Sequence, residues 1–200
     1  MDYHVRENYS TSTNPFPDVP NNVWHNSAIS TIYNVGLISG FPDGTFRPDE
    51  YITAAELITL LAQFAELAPL SGEPAFEDVT AAHWAAERIN AAIAAGWLDG
   101  GGNLNPNAPI SRARTANIVN RMLSRNPANI SDFYDVIRYF PDNQDPNAWY
   151  YYDMIIVTNA MYVLITEDGR EYWLEIITDA DWREMSRRNA GLWQYLMGNN

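Results

Sequence analysis

The chain contains no cysteine, which excludes a disulfide scaffold, a thiolate metal site and a cysteine nucleophile. It has no run of about 18 consecutive apolar residues, so we expect no insertion into a membrane. Basic residues are few. The chain has 12 arginine and lysine residues and 25 acidic residues, so its formal net charge is −13. Since phosphate binding requires a basic surface, we expect no nucleic-acid partner.

Motifs that would indicate catalysis or a cofactor are also missing. The three histidines show no metal-ligand spacing such as H-x-x-x-H, and there is no G-x-S-x-G, P-loop or dinucleotide-binding pattern. Asp43, Glu50 and Glu56 are close enough in sequence to suggest the paired carboxylates of a glycosidase. A turn and a helix cap account for Asp43 and Glu56, however. We therefore expect no catalytic residue, no metal and no cofactor, and we expect that the protein is not an enzyme.

Residues 16–64 form the most regular stretch, and they predict a helix, a loop and a second helix. Apolar residues recur at helical spacing from Trp24 onward, and Gly36 is typical of the position just after a helix. A loop with a Pro-Asp-Gly turn leads to the second helix. Thr53 and Glu56 match a capping box, in which each side chain satisfies an amide at the helix start.

The same unit occurs three times. Five positions of copy one recur at an offset of 60 (76 − 16), and four loop positions recur at an offset of 58 (104 − 46) because the second loop is shorter. Copy three repeats the first residues and then diverges, without the glycine and the proline-containing loop. The equivalent residues are Phe16, Phe76 and Phe140, then Asp18, Asp78 and Asp142, then Trp24, Trp84 and Trp149. Such periods indicate units that bury their apolar faces only against one another.

This pattern resembles S-layer homology (SLH) repeats, the modules that tether surface proteins to the walls of many Gram-positive bacteria. Copy one carries the resemblance in FPDV, ISGFPDGTFRP and ITAAEL. Copy two carries it in FEDV, HWA and NPNAPISRA, and copy three retains only FPD and AW. We expect an N-terminal extension at residues 1–14, repeats at 15–67 and 75–127, and a degenerate third repeat at 138–200, together one structural domain.

The resemblance implies a mainly α fold in which three helix–loop–helix repeats form a pseudo-threefold helical bundle. The first helices, near residues 24–35, 84–95 and 149–160, would pack at its centre. A small β element is expected within residues 162–177. A capping signal at Thr178 predicts one more helix after it.

In the SLH family a Thr-Arg-Ala-Glu motif opens the second helix, and its arginine is implicated in holding the acidic wall glycan. Copy two retains this arginine as Arg112, whereas copy one has Ala54 at that position and copy three has no assignable equivalent. Arg112 and Arg114 are also unusual without the family, because the first turn of a helix disfavours cations by roughly 0.3–1 kcal/mol. Either an anionic ligand such as a sugar carboxylate or an ion pair with a neighbouring repeat would explain them.

The repeated tryptophans have two interpretations, which are packing in the core and stacking on a sugar face. The repeated aspartates likewise either make turn or N-cap contacts or accept hydrogen bonds from sugar hydroxyls. The candidate glycan-binding residues are Arg112, Arg114, Asp78, Trp84, Asp18, Trp24, Glu56, Asp142 and Trp149.

The resemblance implies a non-catalytic anchoring module that binds an anionic, pyruvylated secondary cell-wall polysaccharide in grooves between repeats. The alternative is a degenerate SLH-fold module that acts in protein–protein interaction or surface-layer assembly without strong glycan binding. We expect a secreted protein at the cell wall of a Gram-positive bacterium, with the wall polysaccharide and other surface-layer proteins as partners. Residues 1–14 lack the apolar centre of a signal peptide, so we expect this chain to be a fragment.

Overall fold

The computed structural model describes residues 14–177. Five α-helices, a short 3-10 helix and one β-hairpin occur in this range, which confirms a mainly α fold with a small β element. The N-terminal extension up to residue 13 and the helix predicted from Thr178 lie outside the described residues. In chain order the elements are α1 (Asn26–Asn34), α2 (Ala54–Phe64), α3 (Ala86–Ala94), α4 (Arg112–Met122), the 3-10 helix (Ile130–Phe133), α5 (Tyr151–Thr158), β1 (Met161–Ile165) and β2 (Glu171–Ile176).

The chain divides into two compact units, residues 1–111 and 112–200, and the boundary falls inside copy two. In the first unit, α2 of copy one packs against α3 of copy two. In the second unit, α4 of copy two packs against α5 of copy three. The second helix of a copy therefore packs on the first helix of the next copy, which is the dependence expected of repeats. The pseudo-threefold arrangement and the single domain stay predictions.

All three copies begin with the same backbone pattern. In each, the carbonyl of the repeated phenylalanine accepts a hydrogen bond from the amide three residues later, at 3.0 to 3.3 Å. Turns at residues 21–25, 81–85 and 146–150 then lead into α1, α3 and α5. The third copy, which diverges in sequence, thus retains the local structure of the first two as far as its first helix.

The helix end predicted at Gly36 is confirmed. Gly36 has a φ of 77°, and its amide donates to the Tyr33 carbonyl while the Leu37 amide donates to the Ile32 carbonyl, both at 2.9 Å. These are the two hydrogen bonds of a Schellman motif, whose left-handed residue favours glycine because a Cβ would be strained there. Gly96 ends α3 in the same way, with a φ of 79°.

Copy three replaces the loop with an antiparallel β-hairpin, so the predicted small β element is confirmed. Helix α5 stops at Thr158 because Asn159 has an extended backbone and its side chain pairs with the Arg138 backbone, at 2.7 Å from the amide and 3.0 Å from the carbonyl. Trp173 of β2 is buried in the apolar core of this unit. That core also contains Ile137, Tyr151, Ile155, Ile156 and Met161.

A buried carboxylate attaches the hairpin to the segment that follows α4. Both oxygens of Glu171 lie 2.9 Å from Nε of Arg125, and Nη2 of Arg125 is 2.8 Å from one of them. The Trp173 indole donates to the same carboxylate at 3.0 Å, and the Ala128 amide donates to the Glu171 carbonyl at 2.8 Å. Charged hydrogen bonds of this kind compensate for burying the charge.

We expect Glu171→Gln to lower the free energy of unfolding by about 2–3 kcal/mol, because the amide leaves Arg125 without its counter-ion in a partly buried position. Urea denaturation followed by tryptophan fluorescence measures this. Asp168→Asn is the matched control on the same hairpin, since Asp168 forms an exposed ion pair with Arg170, and it should change stability by less than about 0.5 kcal/mol. Equal effects of the two substitutions would contradict a stabilising role for Glu171.

Candidate functional site

The three repeated tryptophans lie on the surface. Trp24 is 91% exposed, Trp84 is 61% exposed and Trp149 is 62% exposed. Each belongs to the turn two residues before its helix, so the predicted helix starts were two residues early. The core-packing interpretation is wrong, because each ring precedes the helical residues that face the core. Three large aromatic surfaces are therefore accessible to a ligand.

The side chain of Trp84 is positioned by a histidine that the sequence places next to it. The His83 ring stacks on the indole, with centroids 5.8 Å apart and ring planes 29° apart. Nδ1 of His83 accepts the Ala85 amide at 3.2 Å, and Nε2 lies 3.2 Å from the Asn107 side-chain oxygen. His83 therefore donates through Nε2 and caps the turn through Nδ1. The sequence left packing and capping both open for His83, and it gave no sign of Asn107, which lies in the distant loop.

Asp18 and Asp78 bind the loop of their own copy. Asp18 accepts the Phe46 amide at 3.0 Å and the Arg47 amide at 2.6 Å. Asp78 accepts the equivalent amides of residues 104 and 105 at 2.8 and 2.7 Å. Burial opposes ionisation of both carboxyl groups, but these amide hydrogen bonds outweigh it and lower the pKa of Asp18 and Asp78. Both aspartates therefore hold the loop, which is a longer-range contact than the predicted turn or N-cap.

Asp142 occupies the equivalent position in copy three, where the described residues contain no such loop. It lies instead beside Arg112, with Oδ2 3.5 Å from Nη1 of the guanidinium. The guanidinium also lies over the Phe140 ring, 4.4 Å from its centroid. Phe140 is 39% exposed, whereas its equivalents Phe16 and Phe76 are each 4% exposed. The sequence identified Phe140 only as a repeat marker, and its contact with Arg112 was missed.

The equivalent helix start in copy one is closed. The amides of Ala54 and Ala55 donate to carbonyls in the loop of copy two, at 3.2 and 2.9 Å. The predicted capping box is confirmed, because the Glu56 amide donates to the Thr53 hydroxyl at 3.3 Å and the Glu56 carboxylate accepts the Thr53 amide at 2.8 Å. All four of these amides have acceptors within the protein. The start of α2 therefore offers no amide to an anion, and Glu56 acts in the cap.

Arg112 and Arg114 share the first turn of α4, but they differ in accessibility. Arg112 is exposed, whereas Arg114 is half-buried. Arg112 is therefore the arginine of this turn that a dissolved ligand reaches more readily. Within residues 14–177, no group of three or more histidine, aspartate and glutamate side chains is arranged to hold a metal ion. No helix in that range is long and apolar enough to cross a membrane.

Fold and site together define a helical repeat module with exposed aromatic rings at repeated positions and an accessible arginine at one helix start. The family model for the S-layer homology domain matches residues 15–58 and 75–113. Residues 15–58 and 75–113 are therefore S-layer homology segments, and the family predicted from the repeated motifs is confirmed there.

Two of the relatives are named as a cell surface protein and an anchoring protein, and a third is named as a cell wall amidase. The chain is 31% identical over 182 residues to cell surface glycoprotein 1 of Acetivibrio thermocellus, covering 84% of this chain and 8% of that protein. It is 32% identical over 171 residues to a cellulosome-anchoring protein of the same organism, covering 80% and 36% respectively. An uncharacterized cell wall amidase of Bacillus anthracis is 34% identical over 127 residues, covering 58% and 23%. The chain thus corresponds to a small part of each relative.

We expect Asp78→Asn to destabilise the protein at pH 7 and to weaken its acid sensitivity. A carboxyl group whose pKa is lowered by folding stabilises the protein above its ordinary pKa of 3.8, and this stability is lost as the pH falls through the lower folded value. The variant lacks this contribution, so its Tm should fall less than that of the wild type between about pH 5 and pH 2. Scanning calorimetry across this range measures the effect.

Asp142→Asn is the matched control for this experiment. It removes the same charge at the equivalent position of copy three, where the carboxylate binds no loop amide. Its Tm at pH 7 should therefore fall less than that of Asp78→Asn. Equal losses would contradict the loop-holding role of Asp78.

Proposed function

We propose that this chain is a non-catalytic anchoring module that binds an anionic, pyruvylated secondary cell-wall polysaccharide. It thereby holds the protein to which it belongs at the cell surface of a Gram-positive bacterium, beside other surface-layer proteins. The observation that carries the proposal is the accessible guanidinium of Arg112 on the Phe140 ring, at the start of α4. The names of the relatives, which include a cell surface protein and an anchoring protein, support the same location.

The chemistry of Arg112 suits a carboxylate on a sugar. A guanidinium presents donors in a planar fork that pairs with both oxygens of a carboxylate. The aromatic face of Phe140 attracts the cation and helps to hold it at this position. A pyruvyl ketal adds one carboxylate to a sugar ring, so such a polymer offers the group that this fork recognises.

The exposed tryptophans supply the second kind of contact that a polysaccharide requires. Trp84 in the first unit and Trp149 in the second present apolar faces to solvent, and sugar C–H groups stack on such faces. Because the chain carries a net charge of −13, general electrostatic attraction does not draw an anionic polymer to it. Recognition must then come from a local cation and from stacking.

We infer that the module itself is non-catalytic, although one relative is named as an amidase. A general acid or base must be available to the substrate. Of the three carboxylates that suggested a glycosidase, Asp43 accepts the Thr45 amide and pairs with Arg47, and Glu50 lies 3.7 Å from Arg47. Glu56 completes a helix cap. Each of the three therefore already has a partner within copy one.

Two observations favour the alternative, a degenerate module that acts through protein contacts without strong glycan binding. The start of α2 is closed to anions, and copy three has a hairpin in place of the loop. That hairpin leaves Leu164, Ile165 and Leu174 more than half exposed, which is typical of a protein contact. Sedimentation with purified Gram-positive walls, with and without the pyruvyl groups, separates the two functions.

We expect Arg112→Ala to weaken binding to the pyruvylated polymer by roughly tenfold or more, since a hydrogen bond to a charged group contributes about 1.5–3 kcal/mol. Arg112→Lys retains the charge but not the planar fork, so it should bind with intermediate affinity. Titration calorimetry with the isolated polymer measures both. Arg170→Ala on the exposed hairpin is the matched control and should bind as the wild type does. If Arg112→Ala and Arg114→Ala both bind like the wild type, the glycan site is not at this helix start.

A further inference from the structure

The three repeated aspartates occupy equivalent positions in their copies but have different partners. Asp18 and Asp78 are held by two loop amides each, at 2.6 to 3.1 Å. Among the described residues Asp142 has no such loop to hold, and it forms an ion pair there with Arg112, at 3.5 Å. Divergence of copy three has therefore turned a loop-holding aspartate into a counter-ion for the arginine at the proposed site.

The contact between Arg112 and Asp142 is a weak ion pair. It joins one nitrogen to one oxygen, and the two side chains are 60% and 71% exposed. Arg47 provides a comparison, because its guanidinium is held by several partners. It lies 4.1 Å from the Phe41 ring centroid and 2.8 Å from the Asp43 carboxylate, and the Glu50 carboxylate is 3.7 Å away. Exposed pairs like that of Arg112 contribute little and are screened by salt. Solvent and a ligand therefore compete readily for Arg112.

We propose that Asp142 is a built-in counter-ion that a ligand carboxylate displaces from Arg112, and that it thereby sets the affinity and selectivity of this site. The proposal rests on the proposed function, since it assumes a carboxylate on the ligand. In the free protein Asp142 neutralises the cation that α4 places in its first turn, where the helix dipole disfavours it. On binding, a carboxylate that engages the planar fork with both oxygens replaces a single long contact.

Selectivity follows from this exchange. To displace Asp142, a ligand must bind the Arg112 guanidinium more strongly than Asp142 does. A carboxylate that pairs with the guanidinium through both oxygens meets this requirement. A monodentate or strongly hydrated anion exchanges one weak contact for another, so it gains less from the exchange and binds less tightly. The guanidinium carbon lies over the face of the Phe140 ring, so the ring attracts the cation before and after the exchange.

The test uses the full chain and sodium pyruvate as a simple carboxylate, at an ionic strength held constant with sodium chloride. The Nε–H resonance of Arg112 is followed by proton–nitrogen NMR and assigned by its loss in Arg112→Lys. We expect Asp142→Asn to move this resonance without pyruvate and to bind pyruvate about two- to fivefold more tightly than the wild type, the range that an exposed ion pair allows. Asp135→Asn, an exposed carboxylate of the same unit, removes the same charge and should match the wild type.

The inference is overturned if Asp142→Asn neither moves the Arg112 resonance nor strengthens pyruvate binding, including the case in which no variant binds pyruvate. A second titration with the purified wall polymer distinguishes this failure from failure of the proposed function. If the polymer binds the wild type and Asp142→Asn equally and the pyruvate result is negative, only the counter-ion role is wrong. If the pyruvate result is positive and the polymer binds no variant, the counter-ion role stands and the glycan function is wrong.

Discussion

The packing of each second helix on the first helix of the next copy is the constraint on which the rest depends. The described helices have only 8 to 11 residues, a length at which an isolated helix is marginal in water. Helix α2 gains an apolar partner in α3 and, through the loop of copy two, acceptors for its first amides. A copy is therefore completed by its successor, and its helix start is shaped by residues more than 50 positions away.

The loop of each copy also determines which groups the repeated aspartate of that copy contacts. Where the loop is present, Asp18 and Asp78 are committed to its amides, and Phe16 and Phe76 are buried. In copy three a hairpin takes the place of this loop. The equivalent Phe140 is partly exposed there, and Asp142 pairs with Arg112. Loss of the loop makes copy three look degenerate in sequence. The same loss leaves an aromatic ring and a counter-ion beside the arginine that copy two retains.

Much of the local structure could be predicted because its causes are local. The glycine at the end of α1 and the capping box at Thr53 each follow from backbone preferences within a few residues. The repeated tryptophans were harder, because composition favours burying an aromatic ring and only the turn geometry exposes it. The contacts of Asp142 with Arg112 and of His83 with Asn107 join residues 24 to 30 positions apart. No local sequence pattern encodes such contacts, so they could be identified only from the structure.

The exposure of the tryptophans bears directly on why the pattern exists. Burying a large apolar side chain contributes roughly 1.5–3 kcal/mol, and Trp24, which is almost fully exposed, gains little of it. An exposed tryptophan at the same turn of three copies is therefore not explained by the stability of the fold. The chain also has no lysine, so all 12 of its basic residues are arginines, whose planar and weakly hydrated heads suit ring faces and carboxylates. Aromatic faces and guanidinium groups on an otherwise acidic surface are a combination that a ligand explains better than folding does, and at Arg112 the two occur together.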